Sequence, residues 1–117
     1  VHEGPQRISR VSNLPLEPGM ILSNEPGYYR EGAFGIRIEN LIVVTEAPPI
    51  ADGDAREMLA FETLTWAPID RRLVLADRLA PWERDWLNRY HAEVLARIGP
   101  LCDAEVRHWL TQACAPI

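Results

Sequence analysis

A predicted β-hairpin centred on Gly32 constrains the fold of this chain more than any other feature. Glycine readily adopts the backbone conformations that tight turns need. If the bend lies there, residues whose numbers add up to 64 face one another, so Tyr29 opposes Gly35 and Glu25 opposes Glu39. Directly opposed residues have Cβ atoms about 4.5–5.5 Å apart. Two carboxylates this close would destabilise the hairpin unless a cation compensated them.

The second strand of this hairpin sorts charged and apolar side chains onto opposite faces. Arg37 and Glu39 share one face, and the other carries Phe34, Ile36, Ile38, Ile42 and Val44. Two interpretations stay open. Glu39 could be an interior carboxylate that binds metal, since Glu25 and Glu39 suit a pair of cations about 3.5–4 Å apart. Alternatively, Arg37 and Glu39 could form an ion pair on a solvated sheet face.

Four separated motifs favour the metal interpretation. They read VHEGP at residues 1–5, NEPGYY at 24–29, FGIRIEN at 34–40 and LTWAPID at 64–70. In this order they resemble the C-terminal part of aminopeptidase P, also called Xaa-Pro aminopeptidase, a family of dinuclear metallopeptidases with the pita-bread fold. The resemblance spans nearly the whole chain.

The resemblance implies roles for four residues. Glu25 and Glu39 would be metal ligands, and Glu25 would also take part in proton transfer. His2 would hold the substrate and the tetrahedral intermediate, and Arg37 would pair with a metal-binding aspartate. The implied cofactors are two divalent metal ions, manganese first, with zinc or cobalt as alternatives. The implied substrates are peptides with proline at the second position.

The same resemblance implies that part of the site is missing. The family uses two further aspartates and one further histidine as ligands, all upstream of the VHEGP motif. We therefore expect a C-terminal fragment of a metal-dependent aminopeptidase, inactive by itself. The alternatives are a non-catalytic module for dimerisation or partner binding, and one half of a split enzyme.

The order of elements predicts an α+β fold, which the resemblance identifies as the C-terminal part of a pita-bread domain followed by a helical extension. We predict a catalytic-domain part at 1–69 and the extension at 70–117. Strands are expected at about 20–29, 34–45 and 58–66, with a proline-rich surface loop at 46–54.

Two helices are predicted in the extension. Pro81 suits the first turn of one helix, and Gly99-Pro100 would end it. Asp103 is a suitable N-cap for the second. The apolar face of the first helix would consist of Trp86, Leu87, Tyr90, Val94 and Ile98.

Other conspicuous residues of the extension have ordinary structural interpretations. His91 and His108 are read as packed or solvent-facing residues, because a lone helical histidine is seldom a ligand. The tryptophans could build either the helix core or a subunit contact, and the sequence does not separate the two. They are Trp82, Trp86 and Trp109.

Composition limits the partners. A net charge of −5 and a pI near 5.1 argue against nucleic acid, which calls for a basic patch. No apolar run approaches the roughly 18 residues of a membrane span. Cys102 and Cys114 flank a predicted helix too long for a disulfide, so free thiols and a cytoplasmic location are expected. The resemblance favours a homodimer for the full-length protein.

Overall fold

The computed structural model describes residues 4–117, so His2 lies outside the described residues. The chain divides into two compact units, one ending at Thr65 and the other comprising Trp66–Ile117. Trp66 and Ile69 pack against the core of the second unit. The predicted boundary at residue 69, between a part of the catalytic domain and the helical extension, stays a prediction.

Within residues 4–65, the first unit contains five antiparallel strands in two sheets. They are β1 (Ile21–Asn24), β2 (Gly27–Arg30), β3 (Phe34–Arg37), β4 (Asn40–Glu46) and β5 (Leu59–Thr63). One sheet has the order β1-β4-β5, and β2 pairs with β3 in the other. Each of the first two predicted strands is thus split in two. Pro26 explains the break, because it has no N–H to donate to a ladder.

The turn between β2 and β3 is the predicted one. Gly32 has a φ of 68°, in the left-handed region that favours glycine. The amide of Ala33 donates to the carbonyl of Arg30 at 3.1 Å and closes the turn. Tyr29 pairs with Gly35 as predicted.

The buried face of the first unit is smaller than the alternation predicts. Leu22, Ile42 and Val44 form its core, with Leu16 and Met20 packed against them. Phe34, Ile36 and Ile38, predicted on the same face, are 50%, 44% and 43% exposed. The alternation predicts only their shared face; the core gathers under β1 and β4 and leaves the hairpin uncovered.

The second unit contains two α-helices joined by a 3₁₀ turn, and two short 3₁₀ turns, Arg71–Leu73 and Ala76–Arg78, precede them. The α-helices are α1 (Pro81–Ile98) and α2 (Ala104–Ala113); the predicted start and end of α1 and the predicted N-cap of α2 are confirmed. The Glu83 carboxylate accepts from the amide of Ala80 at 2.8 Å, and Asp103 accepts from Val106 at 2.8 Å. These caps satisfy amides that have no partner inside a helix. Cys102 and Cys114 are free, also as predicted.

The core of the second unit is centred on Tyr90. Its ring stacks between Trp66 and Trp86, with centroid distances of 5.7 and 5.4 Å. Its hydroxyl donates to the carbonyl of Ala67 at 2.8 Å. Val94 and Leu110 are buried beside it. The predicted apolar face of α1 therefore carries the contacts that hold this unit together.

The aromatic residues outside this stack are exposed. Trp82 is 70% and Trp109 60% exposed, which removes the core alternative for both. Among the described residues, no helix is long and apolar enough to cross a membrane.

His91 is fully buried, and its Nε2 accepts a hydrogen bond from the amide of Ile69 at 3.1 Å. Burial, and secondarily the charge of Arg71, lowers the pKa of His91 below its ordinary 6.5. Between those two pKa values the unfolded chain binds a proton that the folded chain does not. The contribution of neutral His91 to the free energy of unfolding is therefore fully present above about pH 6.5 and is lost as the pH falls below this value.

We expect the free energy of unfolding of the second unit to fall between pH 7 and pH 5, and His91→Gln to flatten this dependence. All four tryptophans lie in 66–117, so their fluorescence during urea unfolding reports on this unit. His108→Gln, at an exposed position of α2, is the matched control. A wild-type stability that does not change with pH would contradict the prediction.

Candidate metal centre

Glu25 and Glu39 oppose each other where the two ladders meet. On one side Asn24 pairs with Asn40, and on the other Gly27 pairs with Arg37. Both pairings keep the predicted sum of 64. Between them, the amide of Ile38 donates to the carbonyl of Pro26 at 3.2 Å. The predicted register is thus confirmed on both sides of the glutamate pair.

Arg37 lies between the two carboxylates. Its Nη1 is 3.5 Å from Oε2 of Glu25, and its Nε is 3.1 Å from Oε2 of Glu39. The side chains are 49% (Arg37), 34% (Glu25) and 37% (Glu39) exposed. One guanidinium therefore faces two carboxylates on a partly solvated surface. The Arg37–Glu39 ion pair, one of the two interpretations left open, is present, and Glu39 is not an interior carboxylate in the part of the chain that the structure describes.

Tyr29 adds a third contact to Arg37. Its hydrogen bond with the guanidinium, followed by the Glu39 carboxylate, raises the pKa of Arg37 above its ordinary value. Arg37 therefore keeps its charge beside the glutamates throughout the physiological pH range. Tyr29 is 65% exposed, so its ring lies on the surface of the hairpin.

Two glycines make room for the Tyr29 ring. A Cβ at Gly35 would lie 2.8 Å from Cδ1 of the ring, and one at Gly27 would lie 2.7 Å from its hydroxyl oxygen. Gly35 is the cross-strand partner of Tyr29, and Gly27 precedes it by two positions on the same face. The ring thus lies flat over the hairpin with its hydroxyl toward Arg37.

The contact of Ser23 with Glu25 was not predicted from the sequence. The Ser23 hydroxyl donates to Oε1 of Glu25 at 2.7 Å. Residues two apart on a strand point to the same face, so the spacing of Ser23 and Glu25 was the available signal. Both side chains also line a cleft of about 510 Å³, together with residues 4, 6–8, 22, 24 and 26.

The donor set fits a divalent cation in part. Carboxylate oxygens suit magnesium, calcium and manganese, and each oxygen can accept more than one bond. Within residues 4–117, no cluster of three or more His, Cys, Asp and Glu side chains could hold a metal ion. Glu25 and Glu39 therefore fit as two ligands of a site that needs others.

Two family profiles match the chain. Residues 57–117 match the C-terminal region of peptidase_M24, and residues 1–46 match metallopeptidase family M24. The chain belongs to metallopeptidase family M24. The metallopeptidase prediction from the four motifs is thereby confirmed at the level of the family.

Relatives of this M24 chain carry aminopeptidase P names. Aminopeptidase P2 of Arabidopsis thaliana is 48% identical over 120 residues, which cover 100% of this chain and 17% of that protein. A probable Xaa-Pro aminopeptidase P of Laccaria bicolor is 41% identical over 122 residues, 100% of this chain and 19% of that protein. The M24 chain thus spans about a fifth of the length of these relatives.

A solved structure confirms the fold. X-prolyl aminopeptidase from Caenorhabditis elegans, described as a cytosolic enzyme with a di-nuclear active site, superimposes with a TM-score of 0.81 at 35% sequence identity. The match covers 93% of the M24 chain and 18% of that structure. The predicted α+β architecture, antiparallel strands of a pita-bread domain followed by helices, is confirmed.

Proposed function

We propose that this chain forms the C-terminal part of a dinuclear metal-dependent aminopeptidase that removes the first residue from peptides with proline second. The observation that carries the proposal is the opposition of Glu25 and Glu39 around Arg37, in a chain similar to Xaa-Pro aminopeptidases over its whole length. The di-nuclear site of the Caenorhabditis elegans enzyme supports two metal ions. Manganese is proposed first, with zinc or cobalt as alternatives.

Each residue has a distinct role in this proposal. Glu25 and Glu39 would hold the cations, and a carboxylate oxygen of Glu25 would also accept a proton from the attacking water. Bound divalent cations supply Lewis acidity and lower the pKa of a water molecule. His2 stabilises the tetrahedral intermediate. Arg37 would pair with a metal-binding aspartate, as the resemblance implies, and its guanidinium, which offers several donors in a rigid fork, also contacts both glutamates.

The full-length protein is proposed to act in the cytoplasm as a homodimer. Free Cys102 and Cys114 suit a reducing compartment, and the Caenorhabditis elegans enzyme is described as cytosolic. Exposed Trp82 and Trp109 supply aromatic surface of the kind that subunit contacts use. The 117-residue chain alone is proposed to be inactive, because two carboxylates do not complete a two-metal site.

The decisive assay compares two peptides that differ only in their second residue, proline or alanine. The full-length polypeptide should release the first residue from the proline peptide, lose this activity with a chelator and regain it with Mn²⁺. Equal cleavage of both peptides would contradict the proposed specificity. Absence of cleavage with every metal would contradict the proposed activity.

The exposed tryptophans also favour a second candidate, a non-catalytic module for dimerisation or partner binding. The intact mass of the native polypeptide distinguishes the two. A mass several times the 13.3 kDa of this chain supports the peptidase, whereas a mass near 13.3 kDa supports the module or a split enzyme.

Arg37→Ala should lower kcat/KM by about 10- to 100-fold, the usual cost of losing a residue that orients metal ligands. The fold should persist, because the Arg37 side chain is half exposed. Arg37→Lys is the informative comparison, since it keeps the charge but cannot span both carboxylates in the same way. Normal turnover by Arg37→Ala, with an unchanged circular dichroism spectrum, would refute this role.

A further inference from the structure

The hydroxyl of Ser23 makes the shortest contact to either glutamate of the candidate metal centre that the structure shows. The Ser23 Oγ to Glu25 Oε1 distance is 2.7 Å. An ionised carboxylate only accepts hydrogen bonds, so the hydroxyl must be the donor. Hydrogen bonds between a hydroxyl and a carboxylate are strong at this length.

Together with Arg37, the Ser23 hydroxyl contacts both oxygens of the Glu25 carboxylate. Oε1 is held by Ser23, and Oε2 faces the Arg37 guanidinium at 3.5 Å. The terminal torsion of a glutamate is otherwise broad, so an unheld carboxylate would turn easily. Contacts to both oxygens, from two different strands, fix the plane of the group.

Ser23 lies on a more regular part of the backbone than Glu25. Ser23 lies in β1, where it pairs with Leu41 of β4, whereas Glu25 lies just beyond the end of β1. The ordered strand therefore supplies the anchor for a carboxylate on a less regular segment. Neither contact blocks metal binding, because the two carboxylate oxygens together have about four lone-pair sites.

We propose that Ser23 is a positioning residue that fixes the Glu25 carboxylate in the orientation needed to bind a divalent cation. The inference rests on the proposed function, since it concerns the same metal centre. Ser23 itself touches neither metal nor substrate in this role. Its loss should weaken metal binding and lower kcat, and should change KM much less.

The test replaces Ser23 in the full-length polypeptide by valine and by threonine. These two side chains have nearly the same shape, and only threonine has a hydroxyl. Competition with a chelator measures the dissociation constant of Mn²⁺, and kcat and KM are measured separately. Ser23→Val should weaken Mn²⁺ binding by about 10-fold, at the lower end of the range for residues that orient ligands. Ser23→Thr should stay close to wild type.

Thr45→Val is the matched control. Thr45 lies on β4 with its side chain on the same sheet face as Glu39, six residues further along, which is roughly 20 Å at the rise of a strand. It loses a hydroxyl at a site remote from the glutamates and should leave Mn²⁺ affinity unchanged. Thermal unfolding of all variants, followed by circular dichroism, detects any general loss of structure.

The outcomes separate this inference from the proposed function. If the wild type binds Mn²⁺ and cleaves the proline peptide, but Ser23→Val matches it in Mn²⁺ affinity and kcat, the role of Ser23 is refuted and the function stands. If Ser23→Thr loses as much Mn²⁺ affinity and kcat as Ser23→Val, the missing hydroxyl is not the cause of the loss, and the role of Ser23 is again refuted. If the wild type neither binds metal nor cleaves the peptide, the proposed function itself fails, and the inference fails with it.

Discussion

Glu39→Gln in the full-length polypeptide is expected to reduce Mn²⁺ affinity and kcat/KM by more than about 100-fold, because even residues that only orient a ligand are worth about 10- to 100-fold. The change keeps the shape of the side chain but removes its charge and one acceptor oxygen. It also removes the ion pair at 3.1 Å to Nε of Arg37. Arg37 would then face Glu25 alone, which should disturb both carboxylate positions. Metal analysis by mass spectrometry, together with peptide cleavage, measures both effects.

Glu46→Gln is the matched control for this change. Glu46 lies at the far end of the same strand, β4, and is exposed. The substitution Glu46→Gln is the same chemical change at a position away from Arg37, so metal content and activity should stay at the wild-type level. An unchanged metal stoichiometry in Glu39→Gln would count against Glu39 as a ligand.

Tyr90→Ala is expected to unfold the second unit, Trp66–Ile117. Replacing a buried large aromatic residue by alanine costs about 3–5 kcal/mol. Tyr90 also stacks against Trp66 and Trp86, so its loss removes the contacts of three rings. A single core in so small a unit rarely supplies more than about 3–5 kcal/mol. Tryptophan fluorescence and urea titration should show little or no cooperative transition at 25 °C.

Two further variants show whether the stack is responsible. Tyr90→Phe keeps the ring and removes the hydroxyl that donates to the carbonyl of Ala67, so it should cost about 1 kcal/mol. Trp82→Ala removes an aromatic ring from the same helix at a position that is 70% exposed, and should change stability little. A cooperative transition of wild-type stability in Tyr90→Ala would contradict the central place of this residue.

The sequence predicted features that depend on local chemistry. The turn at Gly32 determined the register of the hairpin, because a bend centred there places Glu25 opposite Glu39. Pro81 and Asp103 marked the starts of the two helices through their effects on amides that helices leave unpaired. These features follow from neighbouring residues alone, and the structure has them where the sequence placed them.

The features that the sequence did not predict depend on contacts between distant residues or on a break within a strand. Pro26 interrupts the ladder, so one predicted strand becomes β1 and β2. The bridging of both glutamates by Arg37 depends on a side-chain rotamer that no spacing determines. The sequence left open whether His91 is packed or solvent-facing, because the amide of Ile69 that donates to it lies 22 positions away in the chain. Ser23 was overlooked because its same-face spacing to Glu25 was the only signal, and that spacing alone does not show that the two side chains are in contact.

The most direct test of the proposed metal centre is a crystal structure of the full-length polypeptide with Mn²⁺, with the metal located by its anomalous scattering. We expect two peaks about 3.5–4 Å apart, the usual separation in two-metal hydrolases. Both should lie at the pair of carboxylates, with oxygens of Glu25 and Glu39 within bonding distance. Metal peaks elsewhere, or none beside these two glutamates, would contradict the assignment.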